Sequence, residues 1–144
     1  VKIYKAKTKK LTGTDYREVY KKSFGFYRVI CSRTKRRPYV RSSYFNKEKV
    51  FLELFWHHLR DKKNHRDKVR WMKYFYCAIE LIQNSRFDPI TKDNPNDKSE
   101  ILHRFSGETR DGDTFYVQIK EEKRSGRKWL ISVFPFEKRK RAPR

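Results

Sequence analysis

Cysteine is nearly absent. Cys31 and Cys77 are the only two in 144 residues, too few for a disulfide framework. Cys77 falls in an apolar helical pattern, where a thiol packs as a small hydrophobe. Reducing cytoplasm is therefore the expected compartment. Long apolar runs are absent too. Nothing approaches the ~18 apolar residues of a membrane span, so no membrane partner is expected. The opening VKIYKAKTKK is basic but lacks the apolar run of a signal peptide. Because the chain begins with Val1 rather than Met, its native N-terminus is expected to be trimmed or to belong to a longer protein. Neither GxxxxGK[ST] nor GxGxxG occurs, which removes support for a nucleotide-binding loop. No cofactor is implied. The histidines and cysteines show no zinc spacing, since the adjacent His57 and His58 would point about 100° apart on a helix. Acidic residues are scarce. There are 17 Asp+Glu against 38 Lys+Arg, a formal net charge of +21.

What is present is charge combined with rings. Like charges resist compaction, but aromatics make up 16% of the chain, and that argues for a folded basic domain. An acidic partner follows from the charge, with RNA first and DNA second. Residues 1–45 hold 14 Lys+Arg against Asp15 and Glu18, so this third of the chain carries most of the excess. Arg33, Lys35, Arg36, Arg37 and Arg41 alternate with Tyr39 and other rings. Cations that hold phosphate beside rings that stack on bases suit a single strand. The competing reading is a solvated basic face over a small aromatic core.

The coarse organisation is a basic, aromatic-rich segment at 1–45, an α+β core at 46–136 and a basic tail at 137–144 that is expected to fray. A helix interrupted at Gly25 is expected from Tyr16 to Ser32. Asn46 reads as the N-cap of a core helix running from Lys47 to Arg60, with Phe51, Leu52, Phe55, Trp56 and Leu59 as its stripe. A second core helix is expected from about Asp67 to Asn84. Arg66, Lys68, Arg70 and Lys73 load its first turns with cations. They oppose the helix dipole at about 0.3–1 kcal/mol each, which points to an anionic partner there. Residues 87–98 read as a loop.

Period-two alternation then predicts three strands, Ile101–Glu108, Asp113–Glu122 and Arg127–Phe134. The fold class is α+β, with two core helices packed on a C-terminal antiparallel β-meander. A two-residue turn at Asp111-Gly112 would set His103 opposite Lys120 and Phe105 opposite Gln118. A three-residue loop at 124–126 would set Gln118 opposite Ser132 and Ile119 opposite Ile131. One face would then collect Leu102, Phe115, Val117, Ile119, Trp129, Ile131 and Val133 as the core. The other would collect His103, Tyr116, Gln118, Lys120 and Ser132, with Arg104 close by. Metal-free RNA cleavage needs a base for the 2′-hydroxyl, an acid for the leaving oxygen and cations for the phosphorane. His suits the first two roles and Lys or Arg the third.

The stretches Ile101–Gly107, Thr114–Lys120 and Lys128–Phe134 resemble the barnase–EndoU–colicin E5/D–RelE (BECR-fold) superfamily of nucleases, most closely its phage-associated branch, over about residues 46–136. The resemblance implies N-terminal helices on a four-stranded antiparallel sheet and toxin-like cleavage of RNA without a metal. It implies catalysis by His103, Lys120 and Ser132, and it implies an acidic antitoxin or immunity protein as partner. Arg104 lies close to the matched positions. Lys2–Ala6 and Arg37–Ser43 are the candidates for the fourth strand. The alternative is a non-catalytic RNA- or DNA-binding module or ribonucleoprotein subunit, which needs the cations and rings but no active site. Gln118-Ile119-Lys120 is also similar to the (D/E/Q)xK strand of restriction-type nucleases. That site needs an acidic metal ligand on a neighbouring strand, and neither Asp113 nor Glu108 is well placed, so no metal is expected.

Overall fold

The computed structural model describes residues 2–136, and the basic tail at 137–144 lies outside the described residues. The element order is β1 (Tyr4–Lys5), α1 (Tyr16–Arg33), β2 (Tyr39–Ser42), β3 (Glu48–Phe51), α2 (Glu53–Asp61), α3 (His65–Lys73), α4 (Phe75–Asn84), β4 (Ile90–Asn94), β5 (Asp97–Glu108), β6 (Thr114–Glu122) and β7 (Lys128–Pro135). The sheet runs β1-β5-β6-β7-β3-β2, and β4 shares the β5 edge with β1. The β1–β5 and β3–β7 pairs are parallel and the others antiparallel. Among the described residues no helix is long and apolar enough to cross a membrane.

The architecture is α+β, but two helices on a simple antiparallel meander is the wrong description of it. The sheet is mixed, and the helical layer has a third member. Residues 4–42 supply β1, α1 and β2 to the same sheet and core. Both stretches considered for a fourth strand, 2–6 and 37–43, contain strands. Helix α1 runs through Gly25 without a break, and the expected single helix from Asp67 to Asn84 is α3 and α4, bent at Tyr74.

The largest departure falls at 46–51, expected as the start of a helix. Asn46 and Lys47 take left-handed φ of 54° and 67°. The Glu48 amide donates to the Phe45 carbonyl at 3.0 Å and the Lys47 amide to the Ser42 carbonyl at 2.7 Å. The two left-handed residues lie in a five-residue loop, 43–47, that reverses the chain between the paired Ser42 and Glu48. Tyr39, Arg41, Lys49 and Phe51 then alternate with Val40 and Val50 across a β2–β3 hairpin, and the helix begins only at Glu53. Residues 90–94 likewise form an edge strand beside β5 rather than a loop. The Asn94-Pro95-Asn96-Asp97 stretch is the turn that joins them.

Both later loops are one residue longer than expected. After Thr109 comes a three-residue loop, Arg110-Asp111-Gly112. The Gly112 amide donates to the Thr109 carbonyl at 3.0 Å, and the Thr109 amide to the Asp113 carbonyl at 2.8 Å. Gly112 alone takes positive φ, 94°. Asp111 is bonded by the Lys10 ammonium at 2.9 Å, and that contact holds its carboxyl well below the usual carboxylate range. One extra loop residue shifts the β5–β6 register by one. His103 therefore pairs with Ile119, Leu102 with Lys120 and Arg104 with Gln118. A one-residue shift exchanges the two faces of a strand, so His103 and Phe105 turn toward the helices.

The β6–β7 loop is Lys123–Gly126, closed by the Glu122 and Arg127 backbones at 2.9 Å. It would shift β7 in the same way, but a bulge at Ile131 takes the residue back. Gln118 therefore still pairs with Ser132 and Val117 with Val133, while Ile119 pairs with Leu130 and Lys120 with Trp129. His58 Nδ1 donates to the Ile131 carbonyl at 3.1 Å, partnering the backbone group the bulge leaves over.

The core lies between the helices and one face of the sheet. Phe55, Met72, Phe75 and Leu81 pack there with Val50, Phe115, Val117, Ile119, Leu130 and Val133, all essentially without exposure. Leu102 and Trp129, expected in this core, sit on the opposite face outside the cluster, and Ile131 is only half-buried.

Candidate nucleic-acid interface

The sheet face turned away from the helices is built by register. Pairing places Lys92, Leu102, Lys120, Trp129, Phe51 and Tyr39 in one row across six strands. Three of these are aromatic and adjacent. The rings of Tyr39 and Phe51 lie 6.3 Å apart, and those of Phe51 and Trp129 5.1 Å apart. None of them belongs to the core cluster.

Cations surround the row. Lys49 Nζ stands 4.6 Å and the Arg41 guanidinium 5.5 Å from the Tyr39 ring, and Arg37 lies 5.4 Å from Trp129. Farther along the same face the Arg104 guanidinium covers Tyr116 at 5.1 Å, and Tyr116 meets Phe134 at 5.4 Å. Arg41, Lys49 and Arg104 are exposed, Tyr39, Phe51 and Tyr116 half-exposed, and Trp129 is buried at 7% exposure beneath them. Carboxylates are present but engaged: Glu122 accepts from the Trp129 indole at 2.7 Å, and Glu100 pairs with Lys120 at 3.1 Å. Beside Tyr39 and Arg41, a cavity of about 410 Å³ opens toward Arg33 and Lys47.

The structure thus brings Arg37, Tyr39, Arg41, Arg104, Tyr116, Gln118, Lys120 and Ser132 onto one face. Arg33 ends α1, and the exposed Lys35 and Arg36 follow it in the connection to β2. Arg66, Lys68, Arg70 and Lys73 stand on α3, in the helical layer, but because α3 ends at Lys73, Arg70 and Lys73 fall in its last turn and favour the dipole rather than oppose it. Ser132 is buried, its Oγ donating to Gln118 Oε1 at 3.4 Å.

His103 is the residue the register removes. It lies on the core face, 7% exposed, so it does not meet Lys120 or Ser132. Its Nε2 is 2.8 Å from Glu121 Oε1 and its Nδ1 2.9 Å from Thr91 Oγ1. Phe45, from the β2–β3 turn, closes over it with ring centroids 5.0 Å apart. The buried Lys128 is paired with Glu48 and lies 4.8 Å from the same Phe45 ring. This is a satisfied polar row at the end of the core: each buried charge or imidazole has a partner, as burial requires. Among the described residues no group of three or more His, Cys, Asp or Glu side chains could hold a metal ion.

Sequence reasoning missed Lys49, Phe51 and Trp129. Phe51 falls in the helical stripe expected from the spacing, and Trp129 on the expected core face. The available signal was the alternation of residues 39–42 and 48–51 about a turn, which marks a hairpin with one basic and aromatic face. Comparison with family models, with curated proteins and with solved structures finds no match to this chain.

Proposed function

We propose that this chain binds single-stranded nucleic acid, RNA foremost, across the outer face of its sheet. The observation that carries the reading is the half-exposed pair Tyr39–Phe51, in register on the buried Trp129, with Arg37, Arg41 and Lys49 around it. A base can stack on any aromatic face, and each such contact is worth about 1–3 kcal/mol. Cations spaced beside the rings neutralise the phosphates between bases. The +21 net charge supplies long-range attraction to any polyanion.

Fluorescence anisotropy with a labelled single-stranded RNA tests this. Affinity is expected to fall with salt at a log–log slope of about −0.7 per phosphate contacted. Tyr39→Ala and Lys49→Glu should each weaken binding by about tenfold or more, while His103→Ala, if folded, leaves it unchanged. Salt-independent binding, or wild-type affinity in both outer-face variants, would count against the reading.

The cleavage reading expects His103, Lys120 and Ser132 to work together, and their separation gives it no geometric support. RNA incubated with the protein in EDTA is expected to stay full length. Cleavage that His103→Ala abolishes would return the chain to the nuclease reading.

A further inference from the structure

The helical layer holds a second feature with no element of the sheet in it. Between the start of α1 and one face of α3, from its first turn to its last, lies a cavity of about 530 Å³, lined by residues from 14–16 and 65–73. Small-molecule sites occupy about 300–1,000 Å³. One wall is aromatic: Tyr16 and His65 stack with centroids 4.9 Å apart and planes 28° apart. This pair ends a longer stack along α1, in which Phe24 lies 5.1 Å from Tyr20 and Tyr20 5.8 Å from Tyr16. His65 is exposed, so a planar group can add to the stack on its open side.

The other wall is cationic. Arg66, Arg70 and Lys73 line it, with the Thr14 hydroxyl beside them. Asp15 is the one carboxylate among the lining residues. It can accept from a ribose hydroxyl or a base amino group. Helix α3 begins at this end of the cavity, where the Asn64 side chain accepts from the Arg66 amide at 2.9 Å. Arg66 stands in the first turn of α3 and Arg70 and Lys73 in the last, so the cations run as a row along one face, at i, i+4 and i+7, and an anion lying along that row is attracted by it. Ring stack, cations and a lone hydroxyl acceptor describe one ligand chemistry.

We propose that this cavity binds a nucleoside monophosphate group, its base continuing the Tyr16–His65 stack and its phosphate held by the Arg66 and Lys73 side chains on the α3 wall. The group is either a free nucleotide or the phosphorylated end of a strand. The site is independent of the outer-face reading.

Calorimetric titration of the full chain tests it. Adenosine 5′-monophosphate is expected to bind saturably, one per chain, and at least about tenfold tighter than adenosine or inorganic phosphate. His65→Ala and Arg66→Glu, both at exposed positions, should each weaken it by about tenfold, and Tyr39→Ala should not. A 5′- or 3′-phosphorylated oligonucleotide that displaces the nucleotide, where its unphosphorylated form does not, identifies a strand end as the source. Displacement by neither identifies a free nucleotide. Absence of saturable nucleotide binding overturns the proposal, as does phosphate binding as tightly as the nucleotide with His65→Ala without effect. If Tyr39→Ala leaves RNA binding intact while the nucleotide still binds, only the outer-face reading fails.

Discussion

Two glycines show how one substitution takes opposite signs. Gly25 sits in the middle of α1, exposed, with nothing within 4 Å of where a Cβ would stand. Ala there adds helix propensity and removes unfolded-state freedom, so Gly25→Ala should stabilise by about 0.5–1 kcal/mol in a denaturant melt. Gly107 is buried on β5, where a Cβ would stand 2.6 Å from Phe115 Cζ and 2.8 Å from Leu81 Cδ1. Both neighbours are fully packed core residues, and neither can move without disturbing α4 or β6. Gly107→Ala should therefore destabilise by about 1–3 kcal/mol in the same melt. A neutral result at Gly107 would mean the core there is looser than its burial indicates.

Among the elements, β1 is held mainly by one side chain. It pairs with β5 over two residues only. The Glu80 carboxylate on α4 accepts from the Tyr4 hydroxyl at 2.7 Å, the Lys7 amide at 2.9 Å, the Thr8 amide at 3.1 Å and the Thr8 hydroxyl at 2.6 Å. Burial alone would raise its pKa, but these donors outweigh it and hold the carboxyl below its ordinary value. Glu80→Ala should cost about 1–3 kcal/mol and act locally. Amide exchange at Ala6, Lys7 and Thr8 should accelerate while the β6 amides keep their protection. Equal acceleration across the sheet would show that β1 and the core open as one unit.

For the whole molecule, pH should limit stability from both sides. Glu80 and Asp111 have depressed pKa values in the fold. Their contribution is present above the unfolded carboxylate values near pH ~4 and is lost as pH falls through the folded ones. The melting temperature should therefore drop below about pH 4, less steeply in Glu80→Gln/Asp111→Asn. At the other end, burial and then the nearby Asp113 push the Tyr74 phenol up to about 12. Its raised value stabilises the fold up to the unfolded pKa near ~10, and that contribution is lost as pH rises through the folded one. A melting temperature that stays level from pH 10 to 12 would leave Tyr74 without this role.

Much of the architecture was legible in local pattern. The alternation at 101–108, 113–122 and 127–134 announces strands because side chains on a pleated strand change face at every residue. The apolar stripes at 51–59 and 71–82 announce helices for the corresponding reason, although the first begins on β3. Composition alone carried the expectation of an anionic partner, since charge needs no fold to be counted. What alternation cannot supply is phase. Whether His103 faces Lys120 or Ile119 depended on one loop residue beside Gly112 and on the Lys10 contact to Asp111, which comes from the far end of the chain. The longer β6–β7 loop was offset by a bulge whose freed carbonyl is met by His58, a partner invisible to local reading. The row Tyr39–Phe51–Trp129 joins residues from two distant stretches, so no window of sequence contains it. Sequence by itself determined which residues could bind, and only tertiary structure decided which of them share a face, because register is fixed by turns, bulges and long-range contacts rather than by periodicity.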